Sequence, residues 1–325
     1  MSPRKWFIVG GAGFIGSHFT DRLLDDPATE AVTLYDNFSS GRQWHYAHRA
    51  ADPRLRVVAA DVKETATLRG AMDGHDAVIH LASNPDISRA VTDPDIDFRE
   101  GTQLTREVVE AMRVTGVRRI LYASGSGVYG ELGAEEAAED RGPLVPVSTY
   151  GASKLAGEAL IASYCYMFDS IGRAFRFANV VGPRQTHGVG FDFVRQLAAN
   201  ERELRILGDG SQSKSYIWVR DVVSAVLLAS EKARAPFEVF NVGTDDYITV
   251  TEIAELAVDA MGLKPGSVRF TYSGGDRGWK GDVPIVRLNT ARIRSLGWAR
   301  SRGTAQALRD SLAALVGEGL AAPAA

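Results

Sequence analysis

The sequence predicts an α/β fold: a doubly wound parallel sheet with helices on both faces, followed by a smaller mixed C-terminal lobe. Three observations predict it. A glycine-rich turn joins an apolar strand to a helix at the N-terminus; a second strand ends on an acidic residue; and short β-rich runs then alternate with helical stretches through the first half of the chain.

Taken in order, residues 5–10 (KWFIVG) read as a short apolar strand, and from Phe14 to Leu24 the apolar positions recur at helical spacing. Gly10, Gly13 and Gly16 therefore fall in the strand-to-helix turn. Gly10 permits the tight turn, Gly13 removes a side chain where a pyrophosphate must approach backbone, and Gly16 lets helix close on strand; the helix N-terminus then faces the phosphates with free N–H groups. The next strand, Ala31 to Tyr35, ends at Asp36. A carboxylate there accepts hydrogen bonds from an adenosine ribose and repels a 2′-phosphate, which favours NAD over NADP. Leu55–Ala59, Ala77–His80 and Arg119–Ala123 continue the alternation, with a helix over Phe98–Val114. Ligands of such sheets lie at the carboxyl ends of strands, so Asp61, the Leu81–Pro85 loop and Ser124–Gly127 are expected on the cofactor side, with Asp61 near the adenine amino group.

Composition narrows the field. A chain of 325 residues that is 45% apolar can bury a substantial core, and a formal charge of −3 argues against a nucleic-acid partner. The cluster Trp44, His45, Tyr46, His48, Arg49 is read as a folded loop near the adenosine end rather than an RNA-stacking surface. The single cysteine, Cys165, excludes an internal disulfide and reads as a packed thiol. The six histidines show no paired ligand spacing, so no metal is expected. The first strand begins almost at once and no apolar run approaches a membrane span, which gives the expectation of a cytoplasmic protein without a membrane partner. The acidic stretch Glu135, Glu136, Glu139, Asp140 is expected to be a solvated loop, and the tail after Gly319 is Ala-rich.

Tyr150 and Lys154 lie four residues apart in TYGASKLAGEAL. Four helical residues place two side chains about 40° apart around the axis, on one face. A free tyrosine titrates near ~10, and a neighbouring ammonium together with a positive nicotinamide ring favours its phenolate. Such a pair can move a proton while hydride moves to a dinucleotide.

These motifs, in their order, resemble the extended short-chain dehydrogenase/reductase family, and within it the nucleotide-sugar 4-epimerases of the UDP-glucose/UDP-galactose type. The match runs nearly end to end: GGAGFIGSH (Gly10–His18), YDNFSSGR (Tyr35–Arg42), HLAS (His80–Ser83), SGSGVYGE (Ser124–Glu131), YGASK (Tyr150–Lys154), RFANVVGPR (Arg176–Arg184), LGDGSQSKSYIWVRD (Leu207–Asp221) and GWKGDVP (Gly278–Pro284). The resemblance implies a Rossmann NAD-binding domain over residues 1–178, to which 216–245 returns, and a nucleotide-sugar lobe made of 179–215 and 246–325. It extends the NAD site to Phe14, Ile15, Asn37, Ser39, Ser40, Gly41, Val62, Leu81, Ala82 and Ser83. It makes Tyr150 the general base and acid, and Lys154 its electrostatic partner and a holder of the nicotinamide ribose. The implied reaction removes the proton of the sugar 4-hydroxyl and the C4 hydride, turns the bound 4-keto sugar, and returns both to the other face.

One position departs from the pattern. Three residues before Val128, where the family usually places a Ser or Thr on the sugar 4-oxygen, this chain has Gly125, flanked by Ser124 and Ser126. Ser126 is the favoured substitute; a water, or Tyr150 alone, are the alternatives. The same loop separates relatives. The 4,6-dehydratases carry an Asp–Glu pair directly before VYG and the decarboxylases a Glu, where this chain has Ser126 and Gly127, so elimination and decarboxylation lack their reagent.

For the substrate, the resemblance points to Asn179 on the diphosphate or sugar, to Gly188, Val189 and Phe193 along the nucleotide, and to Arg205, Ile206 and Leu207 at the base edge. Lys214 and Arg277 are the expected diphosphate cations, and Arg89 could reach C6 and meet a uronate carboxylate. The hexose, and UDP against another nucleotide, stay open. Val109, Leu160, Ile161, Tyr164 and Met167 exceed the needs of one helix face, and the resemblance implies that they pair in a homodimer. A non-catalytic NAD-binding regulator would be expected to lose Tyr150 or Lys154. A net oxidoreductase would consume added cofactor.

Overall fold

The computed structural model describes residues 2–318; the Ala-rich tail lies outside the described residues. Six strands arise in chain order as β1 (Lys5–Val9), β2 (Ala31–Asp36), β3 (Leu55–Ala59), β4 (Ala77–His80), β5 (Arg119–Gly125) and β6 (Ile171–Phe177). Between them run α1 (Phe14–Leu24), α2 (Thr65–Met72), α3 (Gln103–Thr115) and α4 (Thr149–Met167). The remaining strands are β7 (Asn179–Val181), β8 (Glu203–Ile206), β9 (Ser213–Lys214), β10 (Tyr216–Trp218), β11 (Phe237–Val242), β12 (Ile248–Thr249) and β13 (Arg269–Tyr272). The remaining helices are α5 (Val189–Ala199), α6 (Val219–Lys232), α7 (Val250–Ala260), α8 (Ala291–Ser295) and α9 (Thr304–Gly317).

Seven strands form one parallel sheet in the order β11-β6-β5-β4-β1-β2-β3. The order reverses at β1, where chain order runs outward to β2 and β3 on one side and to β4, β5 and β6 on the other. Ligands bind at such a switch point, so the fold itself places the site beyond the carboxyl ends of β1, β4 and β5. Phe7, Ile8 and Val9 are completely buried because a central parallel strand is covered on both faces. One face packs on Phe19, Leu23, Val223 and Val226 of α1 and α6, the other on Leu68, Met72, Val108 and Met112 of α2 and α3. The smaller lobe has its own core around Phe193, Leu197, Ile206, Ile253 and Leu308.

Two sequence expectations change here. The helix expected over Phe98–Val114 begins as a single wide turn, Phe98–Thr102, before α3 proper. Gly101 lies in that turn, and a Cβ there would fall 2.0 Å from the Ser153 hydroxyl of α4, so the widened turn lets the two helices touch. Glu139 is not solvated. Its side chain is 4% exposed, accepts from the Asn241 amide N–H at 2.8 Å and faces Arg292.

Candidate active site

The cleft at the switch point has a volume of about 1420 Å³, more than a typical small-molecule pocket of roughly 300–1,000 Å³, and is lined by residues of both the sheet and the smaller lobe. Gly10, Gly13, Phe14, Ile15 and Gly16 form its floor. Gly10 has φ +76°, and a Cβ on it would stand 2.8 Å from the Ala82 amide nitrogen. A Cβ on Gly16 would meet the Gly11 carbonyl at 2.6 Å, which is the close helix–strand approach the motif requires. Gly13 is different: a Cβ there would come no nearer than 3.4 Å to protein, and it points into the cleft where a pyrophosphate would pass. No side chain caps α1, so its first N–H groups remain available to an anion.

Asp36 ends β2 with its carboxylate accepting from Ala12 N (2.9 Å) and Phe38 N (2.8 Å), and burial raises its pKa against those two bonds. Each oxygen keeps a lone pair for a ribose hydroxyl. Asn37, Ser39, Ser40, Asp61 and Val62 line the same end, with Asn37 donating to Asp61 at 3.0 Å. Gly41 does not line the cleft. It lies behind Asp36, and a Cβ on it would press on the carboxylate at 2.8 Å, so it acts by letting the loop close over that residue. Leu81, Ala82 and Ser83 form the opposite wall. The residues present fit NAD: a glycine cradle open to the pyrophosphate, an uncapped helix N-terminus and a carboxylate at the ribose.

The N-terminus of α4 brings in the catalytic pair. Ser148 caps the helix by accepting from Gly151 N at 3.1 Å, and one turn then sets Tyr150 and Lys154 on the cleft face. Lys154 is 3% exposed; its ammonium donates to the Ala123 carbonyl at 2.8 Å and lies 5.5 Å from the Tyr150 ring centre. Burial lowers Lys154 to about 8, opposed by the charge of Asp97. Burial also pushes the Tyr150 phenol up to about 12; a hydrogen bond with Ser83 opposes this and Asp97 adds to it. Burial therefore holds Tyr150 as the neutral phenol at neutral pH in the chain without its cofactor.

Ser124 already has a protein partner. Its hydroxyl donates to Glu158 at 2.6 Å, and Glu158 in turn accepts two bonds from Arg176, at 3.0 and 2.7 Å, with all three side chains buried. Ser124 lines the cleft, but its hydroxyl is engaged in tying β5 to α4. Ser126 lines the cleft beside Gly125 and Gly127.

In the second lobe Asn179, Gly188, Val189, Phe193, Arg205, Leu207 and Lys214 line the cleft. Ile206 does not: strand alternation turns it into the lobe's core, where it is fully buried. Lys214 is paired with Asp282 at 2.5 Å. Arg277 lies off the cleft wall, bound to Glu131 and to the Asp282 carbonyl, and Arg89 is an exposed side chain facing Asp93. These two cations are held by carboxylates that sequence spacing could not assign to them. Sequence reasoning missed Arg195, Gln212 and Trp279, which line the cleft. Gln212 is 2% exposed with both amide atoms unpaired, a buried polar group whose cost calls for a ligand-side partner. Its signal was its place in LGDGSQSK beside the expected base edge.

A parallel sheet with a dinucleotide cradle at its switch point and a buried tyrosine–lysine pair beside it defines a nicotinamide-dependent enzyme. Residues 6–243 match the NAD dependent epimerase/dehydratase family, and the chain belongs to that family. A UDP-glucose 4-epimerase of Mycolicibacterium smegmatis is 34% identical over 302 residues, covering 90% of this chain and 93% of that protein. A crystal structure of a UDP-galactose 4-epimerase superposes with a TM-score of 0.84 at 36% identity, over 97% of this chain and 99% of that one. A dTDP-glucose 4,6-dehydratase from Streptomyces venezuelae, solved with NAD bound, gives a TM-score of 0.88 at 27% identity, over 98% and 99%. The cofactor of this protein is NAD, and its relatives act on nucleotide sugars.

Proposed function

We propose that the protein is an NAD-dependent 4-epimerase of a nucleotide-diphosphate hexose. The observation that supports epimerisation over its sibling reactions is the loop after β5. Ser126 and Gly127 stand there beside Tyr150 and supply neither the acid nor the base that loss of a C6 hydroxyl or a carboxyl group needs. Bound NAD supplies a hydride acceptor that becomes a donor in the same visit, together with a positive ring that lowers the phenol's pKa.

The chain's own residues do the rest. Tyr150 takes the proton of the sugar 4-hydroxyl and later returns it to the same oxygen, so the enzyme ends as it began. Lys154, anchored on the Ala123 carbonyl, holds a charge beside the phenol without being able to swing away. Asn179, Arg195 and Lys214 are the groups to hold the diphosphate, with Lys214 exchanging Asp282 for phosphate. The Gln212 amide, a donor and an acceptor together, suits the imide edge of uracil or thymine. UDP-glucose/UDP-galactose is favoured over the uronate pair, because Arg89, the cation expected to meet a C6 carboxylate, faces Asp93 outside the cleft wall. A second copy of the chain packed across α3 and α4 belongs to the same reading. Val109 and Ile161 are consumed by the chain's own core, whereas Val114, Tyr166 and Met167 are exposed for such contact.

Purified protein without added NAD, given UDP-glucose, UDP-glucuronate and UDP-N-acetylglucosamine in turn, is expected to convert UDP-glucose to its 4-epimer as followed by proton NMR. Formation of a 4-keto-6-deoxy product, or no conversion of any member of the panel, would sink the reading.

A further inference from the structure

We propose that Asp97 is a positioning residue of the catalytic pair: its buried carboxylate fastens the first turn of α4 to the cleft wall after β4 and sets a negative charge beside Tyr150 and Lys154. Asp97 immediately precedes the wide turn Phe98–Thr102 and is 1% exposed. Each of its oxygens accepts one bond, Oδ1 from the Asn84 amide at 2.8 Å and Oδ2 from the Thr149 hydroxyl at 2.6 Å. The direction of the first bond is fixed, because Asn84 Oδ1 already accepts from the Asp86 backbone N–H at 3.0 Å and leaves Nδ2 to face Asp97. Asn84 lines the cleft in the loop after β4, and Thr149 is the first residue of α4. One turn further along α4, Ser153 packs on Gly101 of the wide turn. The segment Asp97–Gly101 therefore grips α4 at Thr149 and Ser153, and the residue that follows each grip is a member of the pair, Tyr150 and Lys154.

Both donors to Asp97 are neutral, although a charge so deeply buried is costly without a compensating ion. The other acids of this region are compensated or solvated. Glu158 binds Arg176 at 2.7 Å, Glu100 binds Lys63 at 2.5 Å and Asp93 binds Arg99 at 2.8 Å, while Asp86 is exposed. Asp97 has no ion pair among the described residues. Of the groups packed beside the pair, burial keeps His80 neutral and Tyr122 a phenol, and the Lys154 ammonium stands 5.2 Å from the Tyr122 ring centre. Lys154 is the cation left to answer Asp97, and it does so across the interior rather than by contact. Burial lowers Lys154 and raises Tyr150, whereas the charge of Asp97 raises both. The two influences can be told apart: losing the charge moves both groups down, and losing burial moves them in opposite directions.

Asp97→Asn keeps both contacts, since its amide oxygen accepts from Asn84 and its N–H donates to Thr149, while the charge is removed. In NAD-loaded protein each group is titrated with its partner replaced, so that neither shifts the other. Lys154 is read from the NMR shift of its Cε in Tyr150→Phe, and Tyr150 from the phenolate absorbance that Tyr150→Phe lacks, in Lys154→Met. Adding Asp97→Asn is expected to lower both pKa values by about half a unit or more. A lysine that rises while the tyrosine falls is the sign of water entry; that result, or either group unmoved, overturns the charge role. For position, Asp97→Ala is expected to lower kcat about tenfold or more, with Asp97→Asn within about threefold of wild type at its own pH optimum. An alanine variant as active as wild type overturns the positional role, and should that variant not fold, the asparagine titrations still decide. The kcat arm rests on the epimerase reading, whereas the titrations need no substrate. A wild-type protein that epimerises nothing while both titrations fall would fault the reaction and leave the role of Asp97 standing.

Discussion

At the scale of single residues, the site turns on how desolvation sets two pKa values in opposite directions. Tyr150 is pushed up to about 12 and Lys154 down to about 8, both by burial first. The pair therefore waits as neutral phenol and weakly held ammonium, and proton transfer depends on the positive ring of the cofactor. Replacing Tyr150 by Phe removes the group proposed to take the proton while leaving the glycine cradle and Asp36 intact. NAD content per chain, measured after denaturing release, should stay within about twofold of wild type, and turnover should fall by about 10²–10⁴-fold, the range for loss of a general base. Retained turnover would remove Tyr150 from its role. Much of this was legible in the sequence, since spacing alone puts Tyr150 and Lys154 on one helical face. What the sequence hid was partner choice: Arg277 with Glu131, Lys214 with Asp282 and Ser124 with Glu158 are joined only by the folded chain. Ile206 is a different kind of miss, because the two-residue period of a strand already separates it from Arg205 and Leu207.

At the scale of elements, the catalytic helix is fastened to the sheet by one buried ion pair. Glu158 of α4 meets Arg176 of β6 through two hydrogen bonds, Ser124 of β5 completes the carboxylate, and the guanidinium lies 4.7 Å from the Tyr129 ring centre. Removing one partner leaves a charge buried without compensation. Glu158→Ala should cost about 3–5 kcal/mol in urea unfolding, whereas replacing both partners with apolar residues of similar volume should recover most of that loss. A cost under about 1 kcal/mol for the single change would show that water or another group satisfies Arg176. The strand–turn–helix start, β2 ending at Asp36 and the alternation that follows were all readable, because local period and glycine placement decide them. The wide turn at Phe98–Thr102 was not: it packs Gly101 against Ser153 of α4, a contact between residues far apart in sequence.

At the scale of the whole molecule, buried neutral histidines make stability depend on pH. His80 on β4 and His18 on α1 are buried and neutral, with burial lowering their pKa values to about 3 and about 4. Both folded values lie below the unfolded value near ~6.5, so the unfolded chain binds more protons as pH falls. Their contribution is complete above about pH 6.5 and is lost toward pH 4, at up to about 1.4 kcal/mol per pH unit for each. Urea midpoints should therefore fall measurably between pH 7 and pH 5, and His80→Asn should flatten part of that slope; a flat profile in the wild type would contradict the account. No helix among the described residues is long and apolar enough to cross a membrane.

The reaction itself is tested most directly by following the C4 hydrogen. UDP-glucose carrying deuterium at C4, incubated with the purified enzyme and no added NAD, should give the 4-epimer with the deuterium still at C4. Deuterium found at C6 would identify a dehydratase, and deuterium lost with stoichiometric rise of the reduced-nicotinamide absorbance would identify a net dehydrogenase; either result would contradict reversible oxidation with inversion at Tyr150.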